Sequence, residues 1–97
     1  KAWRAIGWCS FVSGKSEQAM RYYEKVLALK PIATDYLNAG HVALQLGNME
    51  KAAELYGKAA SESGNRETFL DMFDKDKETL IKLGIDENDI PLIRDLV

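Results

Sequence analysis

The chain has 97 residues, with 13 basic and 15 acidic side chains and a formal net charge of −2. This length fits one domain with a modest core, and the scattered, nearly balanced charges disfavour nucleic-acid binding. The single Cys9 excludes an internal disulfide and is compatible with a reducing compartment. No apolar run approaches the length of a membrane span and no targeting leader is recognisable, so we expect a soluble, cytoplasmic protein.

Apolar residues at helical spacing predict four helices, near residues 2–13, 16–30, 34–46 and 49–62. Gly14 and Gly47 each follow an apolar stretch and predict helix C-caps that lead directly into the next helix, which is typical of a tight helical hairpin. Pro31 removes a backbone donor and should end the second helix. Thr34 or Asp35 is expected to cap the third.

The remaining residues predict a longer fifth helix and a short last one. Apolar side chains recur at helical spacing over residues 66–83, and Gly84 follows as a C-cap. Asp89 is expected to cap the last helix, with Pro91 in its first turn. Four apolar residues of this last segment should face inward: Ile90, Ile93, Leu96 and Val97.

Two acidic clusters lie in this part of the chain. The run from Asp71 to Glu78 lacks the glycine and the bidentate glutamate of a calcium loop, so it indicates a solvated helix face. The turn over residues 86–89 is explained by helix capping. We therefore expect no metal site and no cofactor.

The sequence repeats itself with a period of 33 residues. A period of this length is typical of units that bury their apolar faces by stacking on neighbours. Small residues at equivalent positions should allow neighbouring helices to cross closely. The matching pairs are Gly7 and Gly40, Gly14 and Gly47, Glu17 and Glu50, Ala19 and Ala52, Tyr23 and Tyr56, and Lys25 and Lys58.

This pattern resembles the tetratricopeptide repeat family. The first copy reads Trp3, Ile6, Gly7, Ser10, Ala19, Tyr23, Pro31, and the second reads Tyr36, Ala39, Gly40, Ala43, Ala52, Tyr56. The resemblance implies an all-α fold, a right-handed α-solenoid of antiparallel helix pairs with about six helices. We divide it into repeat one (1–33), repeat two (34–64) and divergent capping helices (65–97). Because the pattern is under way by Trp3, we expect a fragment of a longer protein.

The resemblance implies a non-catalytic protein–protein interaction module that takes a peptide or a partner domain. In this family the first helix of each repeat lines a concave groove, and Trp8 is the expected main anchor. The matching groove residues are Arg4, Trp8, Phe11, Leu37, Asn38, His41, Leu44 and Gln45. Arg4 and Asn38 match two positions of the family's carboxylate clamp, but Trp8 replaces a clamp asparagine and a third repeat is absent, so we do not expect that clamp.

The main alternative is a structural segment of a longer repeat array, whose groove residues are covered by an upstream repeat or a partner subunit. An exposed stacking face should also favour a homodimer, with Trp3, Ile6 and Tyr22 as contributors. A catalytic function would have to use His41, the only histidine, and Cys9, the only thiol. A surface histidine and a buried cysteine are the usual states of such residues, so we expect no enzyme.

Overall fold

The computed structural model describes residues 2–97, and its regular elements are all helical. No helix in this part of the chain combines the length and apolar content that crossing a bilayer requires. The elements in chain order are α1 (Trp3–Val12), α2 (Ser16–Leu27), α3 (Ala33–Gln45), α4 (Met49–Glu62), α5 (Arg66–Lys75), α6 (Lys77–Lys82), a 3₁₀ turn (Glu87–Asp89) and α7 (Ile90–Arg94).

The turns within the two repeats have the same geometry. Gly14 and Gly47 have φ angles of +81° and +80°, a region that glycine adopts without a steric penalty. The residue after each glycine, Lys15 or Asn48, donates its backbone N–H to a carbonyl of the helix just ended, at 2.8 and 2.9 Å. Asn48 also caps α4, as its side chain accepts a hydrogen bond from the backbone N–H of Lys51 at 3.0 Å. The predicted hairpins are confirmed.

Close helix crossings are confirmed at two equivalent glycines. A Cβ atom on Gly7 would lie 3.1 Å from the ring of Tyr23, and one on Gly40 would lie 2.7 Å from the ring of Tyr56. Both rings are fully buried. Each glycine therefore makes room for the tyrosine of the following helix, which is why both residues recur at the same spacing.

The boundaries of the second and third helices differ slightly from the prediction. α2 ends at Leu27, before the residue at which Pro31 restricts the backbone. α3 begins at Ala33, and Asp35 accepts a hydrogen bond from the backbone N–H of Ile32 at 2.9 Å. Asp35, and not Thr34, thus satisfies a donor at the start of α3.

The prediction of one continuous fifth helix over 66–83 is wrong. Asp76 separates α5 from α6, with φ −96° and ψ −2°, and its N–H bonds to the carbonyl of Phe73 at 3.0 Å. The break coincides with a tertiary contact, because the Asp76 carboxylate meets His41 of α3. The described chain consequently contains seven α-helices where about six were expected.

The last helix forms, but its cap differs from the prediction. Pro91 lies in the first turn of α7, as predicted, yet Asp89 makes no side-chain capping bond. Asp86 instead accepts the N–H of Asn88 at 2.9 Å and caps the preceding 3₁₀ turn. Of the four residues expected to face inward, Ile90 and Ile93 are buried, Val97 is half-buried and Leu96 is exposed.

One core joins both repeats to the C-terminal helices. Its centre is aromatic: the Tyr56 ring lies 5.9 Å from Phe69 and 5.6 Å from Phe73, both with edge-on geometry. Ala19 and Ala52, which occupy equivalent positions of the two repeats, are fully buried in the same cluster. The C-terminal helices therefore complete the core of the second repeat.

Candidate functional site

The eight predicted groove residues divide into a buried set and an accessible set. Arg4 is about half exposed and Trp8 and Gln45 are half-buried, whereas Asn38 retains only 9 % of its accessible surface. The other four residues were expected to line an open groove, but they are buried and belong to the core. These four are Phe11, Leu37, His41 and Leu44.

The junction of α5 and α6 covers this face of α3. The ring of Phe73, near the end of α5, lies 5.5 Å from the ring of His41. At the other end, the side-chain amide of Gln45 donates a 2.6 Å hydrogen bond to the carbonyl of Leu83, just after α6. The concave face predicted from the sequence is thus occupied over much of its length by the chain's own C-terminal helices.

His41 is the centre of this contact. Its Nδ1 lies 2.7 Å from the Tyr56 hydroxyl and its Nε2 lies 3.0 Å from Oδ2 of Asp76. Because a carboxylate only accepts hydrogen bonds, we assign the proton to Nε2, so that Nδ1 accepts from Tyr56. Burial lowers the pKa of His41, and the hydrogen bond and charge of Asp76 oppose this shift. We therefore treat the imidazole as neutral.

The expected states of the two candidate catalytic residues are reversed in the structure. His41 is fully buried, and Cys9 is exposed on α1. Both ring nitrogens of His41 already have partners, Tyr56 and Asp76. The Asp76–His41–Tyr56 chain resembles a catalytic relay in its order of groups, but its hydroxyl is sealed in the core, where burial raises the pKa of Tyr56. This arrangement joins helices.

Arg4 is held by a buried acid, Asp35. Its Nε donates to Oδ1 of Asp35 at 2.5 Å and its Nη2 donates to Oδ2 at 2.7 Å, a bidentate pair between α1 and α3. Asp35 is fully buried. The hydrogen bond and charge of Asp35 raise the pKa of Arg4. Arg4 therefore ties the two repeats together.

An open cavity of about 590 Å³ remains at the end of the concave face where α1 begins. Three of the predicted groove residues, Arg4, Trp8 and Asn38, meet here. The full lining is Ala2, Arg4, Ala5, Trp8, Tyr23, Thr34, Asn38 and Asp76. We call this the Trp8 cavity.

Three residues of this site, Asp35, Asp76 and Tyr23, were not predicted from the sequence. Asp35 was considered only as a helix cap and Asp76 only as part of a solvated acidic face. Tyr23 appeared only as a repeat-matching position, and the structure buries it fully, with the side chain of Asn38 beside its hydroxyl. No local pattern marks these contacts, because each joins residues far apart in the chain.

Comparison with known proteins supports the repeat assignment. A family model described as tetratricopeptide repeat matches residues 1–32 and 36–66. No curated protein and no solved structure matches the chain. Repeats of this kind generally mediate protein–protein interaction. With the model covering both helical hairpins and the tyrosines that fill their glycine crossings, the chain belongs to the tetratricopeptide repeat family.

Proposed function

We propose that this chain is a non-catalytic interaction module that binds a segment of a partner protein at the Trp8 cavity. The observation that carries the proposal is the division of the concave face. Its middle is filled by α5 and α6 through Phe73 and Asp76, whereas its end at Trp8 is open. A partner segment would thus enter one end of the face and would not run along its whole length.

Trp8 is suited to anchor such a segment. Its ring packs at 5.5 Å on the fully buried ring of Phe11, so one side is fixed by the core while the residue stays partly accessible. Rigid aromatic side chains in this setting supply much of the binding energy in protein interfaces. The site would be supported from below by four buried residues, Phe11, Leu37, His41 and Leu44. Asn38 would offer a polar contact at its edge.

The proposal is tested by selecting ligands and then mapping them. A random peptide library is panned against the folded chain, and the selected peptides are measured by calorimetry against the wild type, Trp8→Ala and Leu92→Ala. Leu92 is a matched control because it is a large exposed apolar residue, 66 % accessible, and does not line the Trp8 cavity. We expect Trp8→Ala to weaken binding at least about tenfold. Peptides that lose equal affinity with both variants, or that ignore Trp8→Ala, would contradict the proposal.

We further propose that α5–α7 act as the cap of the repeat array. Phe69 and Phe73 pack against Tyr56, the last aromatic residue of the second repeat. Repeat arrays need such an end unit to cover their final apolar face. A chain truncated after residue 64 should then lose helical signal in circular dichroism beyond the share of the deleted helices. A truncated chain that keeps the full signal of α1–α4 would argue against a capping function.

A second candidate function is stacking or self-association through α1. Four uncharged residues share the outer face of this helix: Ala5, Ile6, Cys9 and Val12. Ile6 and Val12 are 39 % and 43 % exposed. Sedimentation equilibrium at high protein concentration should show a dimer that Ile6→Glu abolishes. A wild-type monomer under those conditions would exclude self-association through this face.

A further inference from the structure

We infer that the Trp8 cavity recognises a basic side chain, the ammonium of a lysine or the guanidinium of an arginine, on the bound segment. This inference rests on the proposed function and specifies the chemistry of the same site. Its basis is the balance of charges in the lining of the cavity and the aromatic ring of Trp8.

The positive charge of Arg4 is already balanced by the carboxylate of Asp35. Both of its hydrogen-bonded nitrogens point to Asp35, whose Oδ2 also accepts the backbone N–H of Ile32 at 2.9 Å. Asp35 is fully buried, so the guanidinium cannot leave without stranding a desolvated carboxylate. The Arg4–Asp35 pair therefore contributes no net charge to the cavity, and two of the five guanidinium N–H donors are bonded to Asp35.

The negative charge of Asp76 has no such counterpart. Its Oδ2 accepts a hydrogen bond from His41, which is neutral because burial lowers its pKa. Among residues 2–97, no lysine or arginine side chain lies within ion-pair distance of Asp76, whose side chain remains 23 % exposed. The cavity thus contains one carboxylate whose charge is unbalanced and which a ligand reaches from solvent.

The other walls also suit a cation. Trp8 presents an indole ring, the best aromatic partner for a cation. The floor includes Tyr23, whose buried hydroxyl lies beside the side chain of Asn38. Burial is the main reason why the pKa of Tyr23 is raised, and Asn38 opposes it. The carboxylates of Asp35 and Asp76 raise it further. The indole ring of Trp8 and the carboxylate of Asp76 are therefore the two groups of the lining that favour a cation.

The same distribution of charges around the cavity disfavours an anionic ligand. A carboxylate or phosphate is held best by a cation whose charge is not already balanced, and the charge of Arg4, the only cationic side chain in the described lining, is balanced by Asp35. An acidic group placed here would also face Asp76. The cavity therefore has the opposite polarity to a carboxylate clamp.

The test uses three short acetylated and amidated peptides that differ at one central residue: arginine, its neutral isostere citrulline, or glutamate. Binding is followed by NMR through the indole N–H of Trp8. We expect a saturable shift with the arginine peptide and at least about tenfold weaker binding of the citrulline peptide, because only the charge differs. The glutamate peptide should bind more weakly still. Equal binding of arginine and citrulline peptides, or no saturable shift with arginine, would overturn the inference.

Two matched variants test whether Asp76 supplies the negative charge that favours the arginine peptide. Asp76→Asn keeps an oxygen that accepts the Nε2 hydrogen of His41, so it removes the charge while preserving the contact. Asp71→Asn removes an exposed carboxylate from the same helix pair and does not line the cavity. The preference for arginine over citrulline should vanish in Asp76→Asn and persist in Asp71→Asn. A preference that survives Asp76→Asn with an unchanged melting temperature would refute the assignment.

Different experimental outcomes would contradict the inference and the proposed function. Library peptides that depend on Trp8 but not on the charge of Asp76 would uphold the binding function and overturn basic-residue recognition. An arginine peptide that shifts other residues and leaves Trp8 unaffected would overturn the inference alone, whereas library peptides that ignore Trp8→Ala would overturn both.

Discussion

Replacing Gly40 with alanine should destabilise the protein, although alanine is the better helix former. The new Cβ would lie 2.7 Å from Cδ1 and Cε1 of Tyr56, a distance that forces one of the two groups to move. Tyr56 has little freedom to do so. Its ring is packed against Phe69 and Phe73, and its hydroxyl is bonded to Nδ1 of His41. Overpacking of this kind typically costs about 1–3 kcal/mol.

Gly57 offers a control within the neighbouring helix. It lies on the exposed side of α4, and a Cβ there would meet no atom within 4 Å. Gly57→Ala should therefore stabilise the protein by about 0.5–1 kcal/mol through helix propensity alone. The two substitutions are chemically identical, so their difference isolates the effect of Tyr56.

Thermal unfolding followed by circular dichroism measures the difference. In a domain of this size about 1 kcal/mol shifts the melting temperature by roughly 4–8 °C. Gly40→Ala should melt well below the wild type and Gly57→Ala slightly above it. If Gly40→Ala melts at or above the wild-type temperature, Tyr56 does not fill the space that Gly40 leaves, and the account of the helix crossing is wrong.

Four further outcomes follow from the buried contacts. Asp76→Ala should lower the free energy of unfolding in urea by about 1–3 kcal/mol, because it leaves the Nε2 hydrogen of His41 without an acceptor. Asp76→Asn should recover most of that loss. Burial lowers the pKa of His41, so the unfolded chain takes up its proton near pH 6.5 while the folded chain stays neutral. Stability should thus be complete above about pH 6.5 and fall below it, and a urea midpoint that is constant between about pH 7.5 and 5.5 would contradict this. Arg4→Met should cost about 1–3 kcal/mol by stranding the carboxylate of Asp35, and an unchanged midpoint would show that water replaces Arg4. Ala52→Leu should lower the melting temperature through overpacking by about 1–3 kcal/mol, whereas a surface residue would tolerate it.

The two repeats could be predicted from the sequence because their determinants are local and recur. Gly14 and Gly47 determine their turns through backbone conformations that glycine adopts most readily. Gly40 and Tyr56 lie on successive helices of one hairpin, and a period of 33 residues reproduces the same crossing at Gly7. Such features depend on neighbours within a few turns of helix, so the sequence alone was sufficient to identify them.

The site required the tertiary structure. Local helical spacing favours one helix over 66–83, and the contact that accompanies its break is made by His41, 35 residues before Asp76. The same contact buries His41, which the sequence assigned to an open groove, and places a carboxylate in the lining of the Trp8 cavity. Arg4 matched a position of the carboxylate clamp, and only the fold shows that Asp35, 31 residues later, takes up its charge. Sequence patterns report which side of a helix is apolar, but which distant segment covers that side, and which charges meet there, depends on how the C-terminal helices return across the repeats.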